Sequence, residues 1–129
     1  MTKTDAFGFT LDPHSGVPVY RQIIDQVQAG LASGTLARGD QLPTVRQVAV
    51  DLEINPNTVL RAYRELEIRG VLDTQQGTGT FVSDRPVAED EPERARKLEQ
   101  FVGDVSARAG AAGFTLSEVV EALQKRRTK

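Results

Sequence analysis

The chain has 129 residues, of which 39% are hydrophobic and 26% are charged, and these values are ordinary for a globular protein. It contains no cysteine, which excludes a disulfide framework, a thiolate zinc site and a cysteine nucleophile. No apolar run approaches the roughly 18 residues needed to cross a membrane, and the N-terminus lacks the apolar core of a signal peptide. We therefore expect a cytoplasmic protein with no membrane partner.

The first elements in chain order are a predicted strand and a predicted helix. Alternation of large apolar with small or polar residues predicts a short half-buried strand at Phe7, Phe9 and Leu11. Pro18 then opens a helix, whose apolar residues recur at helical spacing, and we expect it to end near Gly34. The following segment, ARGDQLP (37–43), predicts a loop.

Two short amphipathic helices are predicted next, separated by a polar turn. The first begins after Thr44, whose hydroxyl suits a helix cap, and spans about nine residues, the length of its apolar repeat. The second has Asn55 as its cap and Pro56 at its first position. Gly70 is suited to end this second helix in a left-handed conformation.

A hairpin follows the second short helix. Residues 71–82 predict two short strands around a turn that contains Gly77 and Gly79. A short turn between two helices, followed by a two-stranded hairpin, is the layout of a winged helix-turn-helix. We assign this domain to residues 1–83.

The rest of the chain predicts a linker and a helical tail. Residues 84–93 are polar and rich in acid and proline, as a linker is. Residues 94–129 predict two helices, the second with Thr115 and Glu118 as a capping box. Their apolar stripes need a partner, and we predict the same tail of a second chain; the alternative is folding back onto the winged domain. The predicted dimerisation residues are Leu98, Phe101, Val102, Val105, Leu116, Val119, Val120 and Leu123. The predicted fold class is mostly α with a small β-wing, ending in a two-helix dimerisation tail.

The second short helix carries polar residues away from its apolar stripe. An α-helix fits the DNA major groove, and its first residues meet the base edges. Asn57, Thr58 and Arg61 stand in the first turns of this helix. Asparagine can pair with adenine and arginine with guanine, so these residues predict DNA reading; alternatively, they are solvated surface residues.

Two further segments offer DNA contacts. Arg46, near the start of the first short helix, suits a groove or phosphate contact, although a surface salt bridge with Asp40 or Asp51 is the alternative. The loop QQGTGT (75–80) suits a wing tip that approaches phosphates or the minor groove. Its alternative is a plain hairpin turn.

The overall charge counts mildly against DNA binding. The net charge is −2, whereas nucleic-acid binding usually leaves a basic footprint. Binding depends on a local patch, and we expect the placement of arginines to create one. The arginines that we expect towards the DNA face are Arg46, Arg61, Arg64 and Arg69.

No constellation of residues indicates catalysis. His14 is the one histidine in the sequence, so no second histidine or cysteine completes a metal site or a catalytic triad. We therefore predict that the protein is not an enzyme and has no cofactor. A small-molecule effector is possible in principle, but no residue pattern indicates one.

Four stretches of the sequence resemble the GntR family of bacterial transcription regulators, and within it the short YtrA-like subfamily: Gly16–Ile23, Gly39–Ala49, Ile54–Glu67 and Arg69–Val82. The resemblance implies a winged helix that binds a partly palindromic operator as a homodimer, usually as a repressor. It implies DNA contacts from Thr44, Arg46, Asn55, Asn57, Thr58, Arg61, Gln76, Gly77 and Thr78. Many relatives have arginine where Leu60 stands, so Arg61 contacts either a base or only a phosphate.

The alternative function is a winged-helix module that binds another protein and not DNA. Such a module would carry an apolar patch on the exposed face of residues 57–65. Leu60 is the one large apolar residue on that face of the predicted helix, which favours the DNA-binding interpretation.

Overall fold

The computed structural model describes residues 7–84 and 90–127, which divide into two units, one on each side of the gap. The first unit contains α1 (Val19–Ser33), β1 (Gln41–Leu42), α2 (Val45–Leu52), α3 (Pro56–Ile68), β2 (Leu72–Gln75) and β3 (Gly79–Val82). The second contains α4 (Glu91–Ala112) and α5 (Leu116–Arg126). The predicted winged helix-turn-helix, mostly helical with a small sheet, is confirmed.

The predicted caps of the helix-turn-helix are confirmed. The Gln47 N–H donates to Thr44 Oγ1 at 3.0 Å at the start of α2. The Asn57 N–H donates to Asn55 Oδ1 at 2.8 Å, and Pro56 occupies the first turn of α3. Both caps satisfy N–H groups that have no partner inside a helix, so the sequence itself determines where α2 and α3 begin.

The turn between α2 and α3 depends on a left-handed residue. Glu53 has φ 56°, and it is the one non-glycine residue with positive φ in the described chain. This conformation lets the Ile54 N–H donate back to the Ala49 carbonyl at 3.0 Å, which closes α2 in the usual manner. A side chain at such a position costs about 1 kcal/mol or more, so the turn is held by the packing on both sides.

The core of the first unit lies where α1, α3 and the sheet meet. One stripe of α3 is almost completely buried, and it packs against the buried side of α1. The buried residues of α3 are Val59, Ala62, Tyr63 and Leu66. Because this stripe faces inward, the opposite face of α3 is presented to solvent.

One buried hydrogen bond connects α3 to the segment that leads into α2. The Tyr63 hydroxyl donates to the Pro43 carbonyl at 2.6 Å, and both residues are buried. Burial raises the pKa of Tyr63 well above its usual range, so the hydroxyl keeps its proton and remains a donor. Pro43 immediately precedes the cap residue Thr44, so the bond sets the entry to α2 relative to α3.

The predicted strand at residues 7–11 is wrong. This segment forms no strand, because side chains of α1 occupy its backbone groups. Gln26 accepts from the Thr10 N–H at 3.0 Å and donates to the Thr10 carbonyl at 2.6 Å. The apolar alternation instead reflects packing, with Phe7 and Phe9 in edge-to-face contact at 5.1 Å between ring centroids.

The predicted loop at residues 37–43 contains the short strand β1. Gln41 and Leu42 pair antiparallel with Phe81 and Thr80 of β3. The sheet therefore has three strands in the order β1-β3-β2. Two residues are too few to display a strand periodicity, which explains why the sequence predicts only the hairpin of β2 and β3.

The second unit is a pair of helices. α4 begins at Glu91, so residues 91–93 of the predicted linker are helical, and it ends at Gly113 with φ 87°. At the start of α5, Thr115 and Glu118 exchange both bonds of the predicted capping box. The hydrogen bond from the Thr115 backbone, and then that from its side chain, lower the pKa of Glu118. Ala109 is the one buried residue among those described in this unit.

We expect Tyr63→Phe to lower the free energy of unfolding by about 1–2 kcal/mol, because the buried Pro43 carbonyl loses its donor. Urea denaturation measures this loss. The matched control is Tyr20→Phe, since the Tyr20 hydroxyl has no partner among the described residues, and we expect it to change stability by less than about 0.5 kcal/mol. Equal effects of the two substitutions would contradict this role of Tyr63.

We expect Glu53→Gly to raise the free energy of unfolding by about 1 kcal/mol, because glycine adopts positive φ without the steric cost. The control is Asp51→Gly in α2, where we expect a loss of about 1 kcal/mol because the backbone there is helical. Thermal unfolding of both variants measures the two shifts. If Glu53→Gly is destabilising to the same degree as the control, the left-handed turn is not under strain.

Candidate nucleic-acid interface

The outer face of α3 is polar and positively charged. Asn57, Arg61 and Arg64 are exposed there, and Thr58 is half-buried at its side. Residues three and four positions apart lie on one side of a helix, so the three exposed side chains form a row along α3. The structure thus places together the residues that the sequence predicts for DNA reading.

Of the four arginines expected towards the DNA face, three make no polar contact with the described residues. Within residues 7–84 and 90–127, the guanidinium groups of Arg46, Arg61 and Arg64 make neither a hydrogen bond nor an ion pair. Arg69 differs, because its Nε lies 3.2 Å from Glu65 Oε2. The donors of the first three arginines are therefore available to a ligand, whereas Arg69 is engaged within the helix.

The alternative salt bridge of Arg46 is not formed. Asp40 instead accepts from the Ala37 N–H at 2.9 Å, and Asp51 makes no ion pair in the described residues. Arg46 is exposed in the first turn of α2, two positions after Thr44. Its side chain and the Thr44 hydroxyl therefore belong to the same end of α2.

Two carboxylates of α3 are engaged. Glu65 holds Arg69, and Glu67 accepts a hydrogen bond from the Thr74 hydroxyl in β2. The second bond also ties the end of α3 to the wing. The two carboxylates of α3 thus have partners, whereas Arg61 and Arg64 form no ion pair in the described residues. The placement of these two arginines on the exposed face gives α3 a local positive patch that the net charge of −2 does not reveal.

Arg61 lies against the first helix. Its guanidinium carbon is 3.8 Å from the centroid of the Tyr20 ring, within the range of a cation–π contact. The pair borders an open depression between the beginnings of α1 and α3. The residues that line the depression are Val19, Tyr20, Asn55, Asn57, Thr58 and Arg61.

The predicted wing tip is a tight turn. Gln76, Gly77 and Thr78 are exposed between β2 and β3. Gly77 has φ 81°, and the Thr78 N–H donates to the Gln75 carbonyl at 3.0 Å. Small and polar residues at this tip allow the backbone to approach another molecule closely.

Gln41 supports the wing, although its sequence context does not predict this role. Its Nε2 donates to the Thr78 carbonyl at 3.1 Å. Gly79 has φ 135°, a conformation that favours glycine, and a Cβ there would lie 2.5 Å from Gln41 Nε2 and displace the end of that side chain. The pairing of β1 with β3 is what brings Gln41 to the wing, and no local sequence signal reveals a contact across 37 positions.

The predicted dimerisation residues are on the second unit and are largely uncovered. Phe101 is 64% exposed, and Val105 and Val119 are half-buried. The other exposed members of the set are Leu98, Val102, Leu116, Val120 and Leu123. Exposed apolar residues repeated along a helix usually mark a contact surface.

Two other classes of site are not found in the described residues. No helix in this part of the chain is long and apolar enough to span a bilayer. Within residues 7–84 and 90–127, no group of three or more histidine, cysteine or acidic side chains could hold a metal ion.

Known proteins resemble this sequence. The pattern described as bacterial regulatory proteins, gntR family, matches residues 19–82. The HTH-type transcriptional repressor YtrA of Bacillus subtilis (strain 168) is 45% identical over 74 residues, which are 57% of this chain and 57% of that protein. The uncharacterized HTH-type transcriptional regulator YhcF of the same organism is 36% identical over 110 residues, 85% of this chain and 90% of that protein. The chain thus spans little more than half of YtrA but most of YhcF.

Solved structures share the fold. A transcriptional antiterminator from Listeria monocytogenes EGD-e superposes with a TM-score of 0.65 at 26% identity, covering 92% of this chain and 89% of that one. YtrA from Sulfolobus acidocaldarius, a GntR-family transcription factor, has a TM-score of 0.55 at 31% identity over 73% of this chain and 95% of that one. AraR(DBD) in complex with operator ORE1 has a TM-score of 0.50 at 25% identity, covering 60% of this chain and 94% of that one.

The family assignment follows from the long match to YhcF, together with a gntR pattern that covers α1, the helix-turn-helix and the wing. The chain belongs to the gntR family of bacterial regulatory proteins, and it is a transcription regulator of the DNA-binding, winged-helix class.

Proposed function

We propose that this regulator is a homodimeric repressor that binds a partly palindromic operator, with α3 in the major groove and the wing at the minor groove. The observation that carries the proposal is the row of exposed polar side chains on the outer face of α3. These side chains, and Arg46 in α2, form no hydrogen bond or ion pair within the described residues. Free donors on an exposed helix surface suit phosphate oxygens and base edges.

Each element has a proposed role at the DNA. Asn57, at the beginning of α3, reads a base edge, because an asparagine amide pairs bidentately with adenine. Arg64 and Arg46 bind phosphates that border the groove, and the Thr44 hydroxyl binds a phosphate at the same end of α2 as Arg46. The side-chain Oδ1 of Asn55 caps α3, and the side-chain NH₂ group of Asn55 is left to donate to a phosphate.

The wing extends the contact beyond the groove that α3 occupies. Gln76, Gly77 and Thr78 at its tip approach the neighbouring minor groove or its phosphates, as backbone and small polar groups do. Gln41 holds the tip in position through the Thr78 carbonyl. The wing therefore adds affinity and orientation more than it adds sequence preference.

A second copy of the chain is the proposed partner of the tail. The exposed residues Leu98, Phe101, Val102 and Leu123 are shielded from water when two tails pack, and each buried side chain then contributes roughly 1.5–3 kcal/mol. A two-fold dimer places two α3 helices about one DNA turn apart, ~34 Å. Two half-sites of opposite orientation follow from that symmetry.

The remaining parts of the proposal concern regulation and location. Repression is proposed because YtrA of Bacillus subtilis, which shares 45% identity over 74 residues, is named a repressor. The named relatives are transcription regulators and not enzymes, so we propose no catalytic activity and no cofactor. A DNA partner implies a cytoplasmic location.

A module that binds protein and not DNA has less support. Such a module needs an apolar patch on the outer face of α3. Leu60 is half-buried, and no large apolar residue between positions 57 and 65 is exposed. The exposed groups on that face are an asparagine and two arginines, which suit nucleic acid better.

The DNA-binding proposal predicts that the binding constant for DNA falls steeply as the salt concentration rises. This dependence should become less steep when Arg46 or Arg64 is removed. The probe is the duplex that the protein selects from a randomised pool, measured between ~50 and ~200 mM salt. We expect Arg46→Ala and Arg64→Ala each to reduce the slope of log K against log salt by about 0.9 for every phosphate that the arginine neutralises.

The matched control is Arg69→Ala, which removes the same charge from the first unit at a position already paired with Glu65. We expect it to leave the salt slope unchanged. If all three variants behave alike, only net charge matters and the proposed interface is wrong. If the wild-type protein selects no sequence from the pool, the proposed regulator function is wrong.

The dimer proposal predicts that a charge on the apolar stripe separates the subunits. We expect the Phe101→Asp variant to sediment as a monomer. It should bind the operator at least ~100-fold more weakly, because a monomer occupies one half-site and gains nothing from the second. Gln100→Asp adds the same charge at the neighbouring position of α4, outside the apolar stripe, and should remain dimeric. A wild-type monomer, or a dimeric Phe101→Asp variant, would contradict the proposal.

A further inference from the structure

We infer that Tyr20 is a positioning residue for Arg61. It directs the Arg61 guanidinium to a DNA backbone phosphate at the side of α3, and not to a base edge. The inference rests on the proposed DNA-binding function and assigns a role to one of its arginines. It also gives α1, which carries no predicted site residue, a part in DNA recognition.

The Tyr20 ring packs between the core and Arg61. Tyr20 is the second residue of α1 and is half-buried against the core of the first unit. The Arg61 guanidinium carbon lies 3.8 Å from the centre of this ring. Because α1 and α3 share the same buried core, the packing of the two helices places Tyr20 beside Arg61.

Stacking leaves the hydrogen-bonding capacity of Arg61 intact. A guanidinium on an aromatic ring uses its face, whereas its N–H donors point outward in the plane. Arg61 has no hydrogen bond or ion pair in the described part of the chain. Its donor fork is therefore held in one place while it still lacks an acceptor, and that fork matches the oxygens of a phosphate.

The direction of the contact indicates a phosphate. An α-helix with side chains is about 10–12 Å wide, and it nearly fills a major groove of about 12 Å. Side chains on the outer face then meet base edges, and a side chain drawn sideways meets the sugar–phosphate strand that borders the groove. The Arg61 guanidinium points sideways towards Tyr20 in α1, whereas within residues 7–84 and 90–127 no ring contact involves Asn57 or Arg64.

The surroundings of Arg61 suit an anion. The depression that Arg61 borders has polar groups on the α3 side, including the half-buried Thr58. Among the described residues, no acidic side chain lines this depression. A phosphate of the bordering strand therefore meets Arg61 without a competing carboxylate.

The assignment separates the roles of the residues on α3. A phosphate contact strengthens binding to every sequence, whereas a base contact strengthens binding to one sequence. Arg61 should therefore contribute equally to the selected operator and to unrelated DNA, and Asn57 should contribute mainly to the selected one. Tyr20 should act only through Arg61.

The test uses the full chain and two duplexes, one selected from a randomised pool and one of unselected sequence. We expect Arg61→Ala to weaken binding to both duplexes by a similar factor, roughly tenfold, and to lower the salt slope by about 0.9 for each phosphate neutralised. Asn57→Ala is the comparison, and it should weaken the selected duplex far more than the unselected one.

The Tyr20 variants test positioning. Tyr20→Phe keeps the ring and should bind as the wild type does. Tyr20→Leu removes the ring and should weaken binding to both duplexes roughly 2- to 5-fold per subunit. Combined with Arg61→Ala, it should have no further effect, because the two residues act as one unit. Thermal unfolding verifies that each variant is folded, and Tyr20→Met replaces Tyr20→Leu if the latter is not.

Two outcomes would overturn the inference while leaving the proposed function intact. In one, Arg61→Ala weakens only the selected duplex, so Arg61 reads a base. In the other, Tyr20→Leu has the same effect with and without Arg61, so the ring is only structural. If the wild-type protein itself does not distinguish the two duplexes, the proposed function fails, and this inference fails with it.

Discussion

The hydrogen bond from the Tyr63 hydroxyl to the Pro43 carbonyl is the constraint on which the winged unit depends. It joins α3 to the residue before the α2 cap at a distance of 2.6 Å, and both residues are buried. A buried carbonyl without a donor costs about 1–3 kcal/mol, so the two helices are fixed together. The buried stripe of α3 that contains Tyr63 also forms part of the core. The same residues therefore stabilise the unit and set the orientation of the outer face of α3.

Charge placement explains how an acidic chain carries a DNA-binding surface. The net charge is −2, yet the carboxylates of Glu65 and Glu67 in α3 are engaged by Arg69 and Thr74. Arg61 and Arg64 form no hydrogen bond or ion pair in the described chain, and the Arg61 guanidinium lies against the Tyr20 ring. The placement of Arg61 and Arg64 on the outer face, and not the overall balance of charge, makes this face positive. This surface is the physical basis of the proposed function.

Local signals predicted the fold well, whereas interactions between distant residues were not predictable. Thr44, Asn55 and Thr115 cap their helices as predicted, because a cap is decided by the three or four residues that follow it. The strand expected at residues 7–11 is absent because Gln26, 16 positions from Thr10, occupies the backbone groups. β1 with Gln41, and the stacking of Arg61 on Tyr20, likewise require partners that only the folded chain brings together. The residues predicted on α3 do share a surface. The contacts that hold this surface and the wing in position, from Tyr20 and Gln41, were not predictable.

Methylation interference on the duplex selected by the protein shows which groove α3 reads, since a methyl group at guanine N7 blocks the major groove alone. We expect such methyl groups to prevent binding in two clusters about one helical turn apart, ~34 Å, and we expect Asn57→Ala to weaken this pattern without changing its spacing. Interference confined to adenine N3 in the minor groove, or spread evenly along the duplex, would contradict the proposal that α3 reads DNA from the major groove.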